Sequence, residues 1–84
     1  MINKKMLEDQ LENFKEPLRV CARQRNKDGS DKRFAGYLRL FKGVERDEAR
    51  AMMDAWLAGE AKKSENGNER VWWGLLRRDL AARP

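Results

Sequence analysis

The scarcity of β-branched residues is the feature that most restricts the fold of this chain. Its 84 residues contain only Ile2, Val20, Val44 and Val71, and no threonine. Strands rely on β-branched and aromatic side chains, whereas the abundant alanine, leucine, arginine, glutamate, lysine and methionine favour helices. We therefore expect a mainly α fold, a small single-domain helical bundle of three to four short helices that spans residues 1–84.

The first helix is predicted by a stripe of apolar residues that recur with helical spacing. These residues are Leu7, Leu11, Phe14, Leu18, Cys21 and Ala22. Proline lacks the backbone N–H of a helical residue and crowds the preceding turn. We therefore expect a helix from about Lys4 to Lys15, followed by a kink or by a restart with Pro17 at the first helical position.

Two further helices are predicted in the second half of the chain. One follows Gly43, has Glu45 as its N-cap and ends at Gly59, and its apolar stripe consists of Ala49, Met52, Met53, Trp56 and Leu57. The other has Asn68 as its N-cap and continues to Pro84. Its stripe consists of Val71, Trp72, Leu75, Leu76 and Leu80. We expect Trp72 to be buried, and Trp73, at the edge of the stripe, to be partly exposed.

Residues 18–41 have two interpretations. The spacing of Phe34, Tyr37, Leu38 and Phe41 predicts an additional helix after a polar loop at residues 26–31. Apolar residues also alternate with polar ones on both sides of that loop, which predicts a β-hairpin at about 18–41 packed on helices, in an α+β fold. Periodicity alone does not decide between helix and strand for apolar runs this short.

Positive charge is concentrated in the basic segment, residues 19–42. Its eight cations face two carboxylates, so its net charge of +6 exceeds the +5 of the whole chain. The cations are Arg19, Arg23, Arg25, Lys27, Lys32, Arg33, Arg39 and Lys42. The planar guanidinium of arginine matches the geometry of phosphate. Local charge of this kind indicates a binding surface for nucleic-acid phosphates or for an acidic protein.

The main functional hypothesis is therefore a small nucleic-acid-binding accessory protein with little base specificity. The residues expected to contact DNA or RNA phosphates are Arg19, Arg23, Arg25, Lys27, Lys32, Arg33 and Arg39. Trp73, flanked by Arg70 and Arg77, forms a second candidate surface that would stack a base or anchor a protein partner.

Two other hypotheses stay open at this point. The chain is alternatively a protein-binding inhibitor or adaptor of a larger nucleic-acid-processing machine, of the kind that mobile elements encode, docked through the basic segment and Trp73. A homodimer formed through the Met52 to Trp56 surface is a third reading, because a core this small often needs a partner.

Several function classes are disfavoured by residues that the sequence lacks. It has no histidine, the commonest general base and metal ligand, and Cys21 is its single cysteine. We therefore expect neither an enzyme nor a metal or cofactor site. No apolar run approaches the roughly 20 residues of a membrane span, and residues 1–10 lack the apolar core that a signal peptide would have. A lone cysteine agrees with a reducing compartment, so we expect a cytoplasmic protein.

Overall fold

The computed structural model describes residues 3–24, 36 and 38–82. Within these residues the chain forms three α-helices: α1 (Lys4–Gln24), α2 (Val44–Lys63) and α3 (Gly67–Ala82). The same residues contain no strand. The prediction of a mainly α bundle is confirmed. None of the three described helices combines the length and apolarity needed to cross a bilayer.

Helix α1 continues through Pro17 and does not end at Lys15. Asn3 caps its start, since the Asn3 Oδ1 atom accepts a hydrogen bond of 2.9 Å from the Met6 N–H. An internal proline costs a helix about 3 kcal/mol. The apolar stripe keeps its phase across Pro17, and Leu18 beyond it is buried in the common core. This packing offsets the lost hydrogen bond. The predicted helix end at Lys15 with a restart at Pro17 is wrong, because α1 is continuous there, whereas the alternative of a kink at Pro17 stays a prediction.

The predicted β-hairpin at residues 18–41 is also wrong. Its first arm, residues 18–24, belongs to α1, so the backbone groups of that arm are bonded within the helix. Near its other end, Gly36 and Leu38 are helical, and a turn follows in which the Phe41 N–H donates to the Leu38 carbonyl at 3.2 Å. Leu38 and Phe41 are buried. Phe34 and Tyr37, on which the alternative helix partly depended, lie outside the described residues.

Helix α2 begins and ends at positions different from those predicted. Gly43 precedes it with a φ of 58°, and the first helical residue is Val44, so Glu45 is not the N-cap. The helix continues past Gly59 to Lys63, because a glycine inside a helix costs only about 1 kcal/mol relative to alanine. Ser64 closes it, since the Ser64 hydroxyl donates to the Glu60 carbonyl at 2.9 Å.

Helix α3 begins at Gly67, two residues earlier than predicted, and packs extensively against α2. Its cap is Asn66 and not Asn68, because the Asn66 Oδ1 atom accepts a hydrogen bond of 2.8 Å from the Asn68 N–H. The connection between α2 and α3 is short, so the two helices form an antiparallel pair, and α1 packs against both.

A single hydrophobic cluster joins the three helices and the turn before α2. Its buried members are Leu7, Leu11, Leu18, Cys21, Ala22, Leu38, Phe41, Ala49, Met53, Leu57, Trp72, Trp73, Leu76 and Leu80. The burial of Trp72 is confirmed, whereas the expected partial exposure of Trp73 is wrong, because only 2% of it is exposed. Trp56 and Trp72 pack edge-on against Trp73, at 5.5 and 5.0 Å between ring centres. Val71 and Leu75 of the predicted stripe are exposed.

Candidate functional site

Arg19 of α1 is held in place by groups from two helices. Its Nε and Nη2 atoms donate to Oε1 of Glu60 on α2, at 3.3 and 3.0 Å. Its guanidinium lies 5.3 Å from the centre of the Trp56 ring, within the range of a cation–π contact. The hydrogen bond to Glu60 is the main cause that raises the pKa of Arg19, and desolvation by burial partly opposes it. A phosphate bound to Arg19 would compete with Glu60.

Trp56 contacts Arg19, although the sequence pattern assigned Trp56 only to the core. Lys15 lies 5.8 Å from the centre of its ring, so two cations from α1 contact the same indole. The Lys15 Nζ atom is also 2.8 Å from a carboxylate oxygen of Glu12. No local spacing links Trp56 to Lys15 or Arg19, because the contact arises only where α1 crosses α2.

Arg23, one turn after Arg19, also has a carboxylate partner. Its Nη2 atom donates to Oε1 of Glu16 at 3.2 Å, and Oε2 of the same carboxylate is 3.6 Å from Arg19 Nη1. Both arginines that the basic segment contributes to α1 are therefore partly neutralised by glutamates. Exposed ion pairs of this kind contribute little to stability, but they place a negative charge beside each guanidinium.

The predicted surface formed by Trp73, Arg70 and Arg77 is not assembled as a stacking site. Trp73 is buried between the other tryptophans. Arg77 makes a two-pronged contact with Asp54 of α2, at 3.0 and 3.2 Å, and this hydrogen bonding raises the pKa of Arg77. The Arg70 Nη2 atom donates to the backbone carbonyl of Ser64 at 2.7 Å. Arg77 thus joins α3 to α2, and Arg70 joins α3 to the connection between the two helices.

An open groove of about 390 Å³ lies where the ends of α1 and α2 meet the start of α3. Its lining consists of Arg19, Ala22, Arg23, Glu60, Lys63, Ser64, Glu65, Asn66, Glu69 and Trp73. Three cations and three carboxylates therefore share the groove. This balance of charge suits a ligand with both donors and acceptors better than a phosphate.

The rest of the basic segment differs from its α1 part. Arg39 and Lys42 are exposed in and after the turn at residues 38–41. Among the residues that the structure describes, neither has a carboxylate within ion-pair distance. Arg25, Lys27, Lys32 and Arg33 lie outside the described residues. The predicted phosphate-binding residues thus fall into two groups. Arg19 and Arg23 lie on α1 and are paired with glutamates, and the other five come after α1 in the chain.

Comparison of this chain with protein-family models, with characterised proteins and with solved structures gave no match. Its function is therefore inferred from charge, burial and geometry.

Proposed function

We propose that this chain is a small, non-enzymatic nucleic-acid-binding accessory protein that contacts phosphates through the part of the basic segment beyond α1. This part, residues 25–42, has six cations and two carboxylates, so it accounts for +4 of the net charge of +5. The expected contacts are Arg25, Lys27, Lys32, Arg33 and Arg39. The supporting observation is that exposed Arg39 lacks a carboxylate partner among the described residues.

The arginines of α1 contribute less to this proposal than the sequence suggested. A phosphate that approached Arg19 would have to displace Glu60 or bind beside its negative charge. A hydrogen bond to a charged group is worth about 1.5 to 3 kcal/mol, so the exchange brings little net gain. Arg39 has no such bond to lose within the described residues, and its guanidinium is available to a phosphate.

Low base specificity is part of the proposal, and the placement of the tryptophans supports it. Sequence-tolerant binding of single strands uses exposed aromatic rings as stacking platforms. Trp72 and Trp73 are buried, and Lys15 and Arg19 contact the ring of half-buried Trp56. Stacking on the described tryptophans is therefore not proposed, and the expected affinity comes from phosphate contacts.

Fluorescence anisotropy with labelled duplex and single-stranded DNA and RNA, over a series of salt concentrations, tests this function. Five phosphate contacts predict a slope of log K against log salt of about −4.5 on duplex DNA. Arg39→Ala should make that slope shallower by about 0.9. Arg78→Ala is the matched control, because Arg78 is exposed on α3 and is not part of the basic segment, and its loss should leave the slope unchanged. A flat salt response, or no binding at low salt, would refute the proposal.

The alternative function, a protein-binding inhibitor or adaptor of a nucleic-acid-processing machine, is favoured by the groove at the helix ends. Three carboxylates there repel phosphate, whereas a polypeptide offers donors and acceptors to both signs of charge. Trp73 contributes to the floor of the groove but is too buried to act as a projecting anchor. Absence of nucleic-acid binding at every salt concentration would refute the first function and leave this one.

A further inference from the structure

At and just before the start of α2, two aliphatic side chains are left uncovered by the described part of the chain. Leu40 and Val44 are each 72% exposed, more than the other exposed large hydrophobic residues of the described chain, Met6, Val71 and Leu75. Exposed apolar side chains close together on a charged protein indicate an interaction surface. Leu40 and Val44 are only four positions apart, on either side of Gly43.

The backbone that presents these two residues is anchored on both sides. Leu38 and Phe41 are 4% and 3% exposed, so the turn that contains Leu40 is fastened to the core. The Gly43 carbonyl accepts a hydrogen bond of 3.3 Å from the Asp47 N–H, which ties the turn to the first turn of α2. The exposure of Leu40 and Val44 is therefore a property of the folded chain and not of a frayed end.

The charges around this pair have a definite order. Lys42 lies between the two aliphatic residues, and Asp47 and Glu48 follow Val44 in the first turn of α2. All three charged side chains are exposed and lack an ion-pair partner within the described residues. Residues four apart share a helix face, so Glu48 lies beside Val44. From residue 42 onward, the exposed side chains thus change from basic Lys42, through apolar Val44, to acidic Asp47 and Glu48.

We propose that a second copy of this chain covers the surface formed by Leu40, Lys42, Val44, Asp47 and Glu48. In a two-fold contact the same patch of both copies meets in opposite directions. With the two-fold axis beside Val44, Lys42 of each copy lies against Asp47 and Glu48 of the other. The same arrangement brings the exposed aliphatic residues of the two copies together. The charge order is therefore complementary to itself. Exposed Arg39 adjoins Leu40, but the patch itself contains two carboxylates and one cation, which disfavours a phosphate.

This surface differs from the Met52 to Trp56 surface expected from the sequence. Met52 and Trp56 are only partly exposed and pack against the core, and the Trp56 ring is in contact with Lys15 and Arg19. The new surface also does not depend on the proposed nucleic-acid function, since it uses none of the five expected phosphate contacts. Because each copy contributes two aliphatic residues, the interface is small, and the association should be weak and concentration-dependent.

Sedimentation velocity of the isolated protein at low salt tests the proposal, at concentrations from about 10 µM to about 1 mM, the range of weak transient complexes. The sedimentation coefficient of the wild type should rise with concentration, and Leu40→Asp should abolish the rise. Leu75→Asp is the matched control, since Leu75 is an exposed leucine on α3 and its replacement should leave association unchanged. A wild type that stays monomeric, or a Leu40→Asp variant that still associates, would overturn the proposal.

Charge reversal tests the orientation of the two copies. Lys42→Glu makes the surface wholly acidic, and the double variant Asp47→Lys with Glu48→Lys makes it wholly basic. Each variant alone should be monomeric, and an equimolar mixture should associate at least as strongly as the wild type. Circular dichroism of each variant verifies that it is folded before mixing. Folded variants that fail to associate on mixing would overturn the two-fold charge pairing.

Discussion

Two glycines offer a direct test of the described backbone. Gly74 lies inside α3, and Gly43 precedes α2 with φ 58° and ψ −129°. A Cβ atom at either position would meet nothing within 4 Å, so steric contact does not distinguish them. Alanine at Gly74 should stabilise the fold by about 1 kcal/mol, the difference in helix propensity. Alanine at Gly43 should destabilise it by about 1 to 3 kcal/mol, because L-residues rarely adopt that conformation.

Thermal and urea unfolding followed by far-UV circular dichroism measures both effects. For a domain of this size, 1 kcal/mol corresponds to a shift in Tm of about 4 to 8 °C. Gly74→Ala should therefore raise Tm by about that amount, and Gly43→Ala should lower it by at least as much. Gly59→Ala is an internal control, because Gly59 lies inside α2 and also has open space at its Cβ position. Its Tm should rise as for Gly74→Ala.

Opposite signs for the two substitutions are the essential result. If Gly74→Ala lowered the free energy of unfolding, either α3 would not be helical at that position or another group would approach it closely. If Gly43→Ala were neutral, the positive φ before α2 would be refuted, together with the turn that presents Leu40 and Val44.

Two further predictions concern the core and the ion pair between Arg19 and Glu60. Trp73→Ala should cost about 3 to 5 kcal/mol and unfold much of the protein, because Trp73 is only 2% exposed; a loss below about 1 kcal/mol in urea unfolding would show that Trp73 is not a core residue. A double-mutant cycle with Arg19→Ala and Glu60→Ala should give a coupling of about 0.2 to 1 kcal/mol, because the Arg19 side chain is 38% exposed and solvent screens the pair. The pKa of Arg19 is raised in the folded protein. The contribution of this ion pair to stability is therefore fully present below the pKa of Arg19 in the unfolded chain, and it is lost only as pH rises through the pKa of the folded state. The coupling should therefore be equal at about pH 7 and about pH 9, and a coupling that vanished at the higher pH would contradict the assignment.

The helical character of the chain and the buried faces of its helices could be predicted from the sequence. Helix propensity and the spacing of apolar residues are local properties, so the stripe from Leu7 to Ala22 identified the core face of α1. The same locality explains the errors at Pro17 and Gly59. Helix propensity includes the free-energy cost of a proline or a glycine in a helix. It does not include the packing of Leu18, which offsets the cost of Pro17, or the cap at Ser64, which offsets that of Gly59.

Which charges and aromatic rings remain available to a ligand was decided only by the tertiary structure. The sequence determined the number of cations in the basic segment, but Glu60 and Asp54 are distant in the chain from the arginines that they bind. Trp73 is buried because Trp56, from another helix, packs against its ring. Contacts between helices depend on how the helices pack, and the periodicity of one helix contains no information about the residues that a neighbouring helix brings to it.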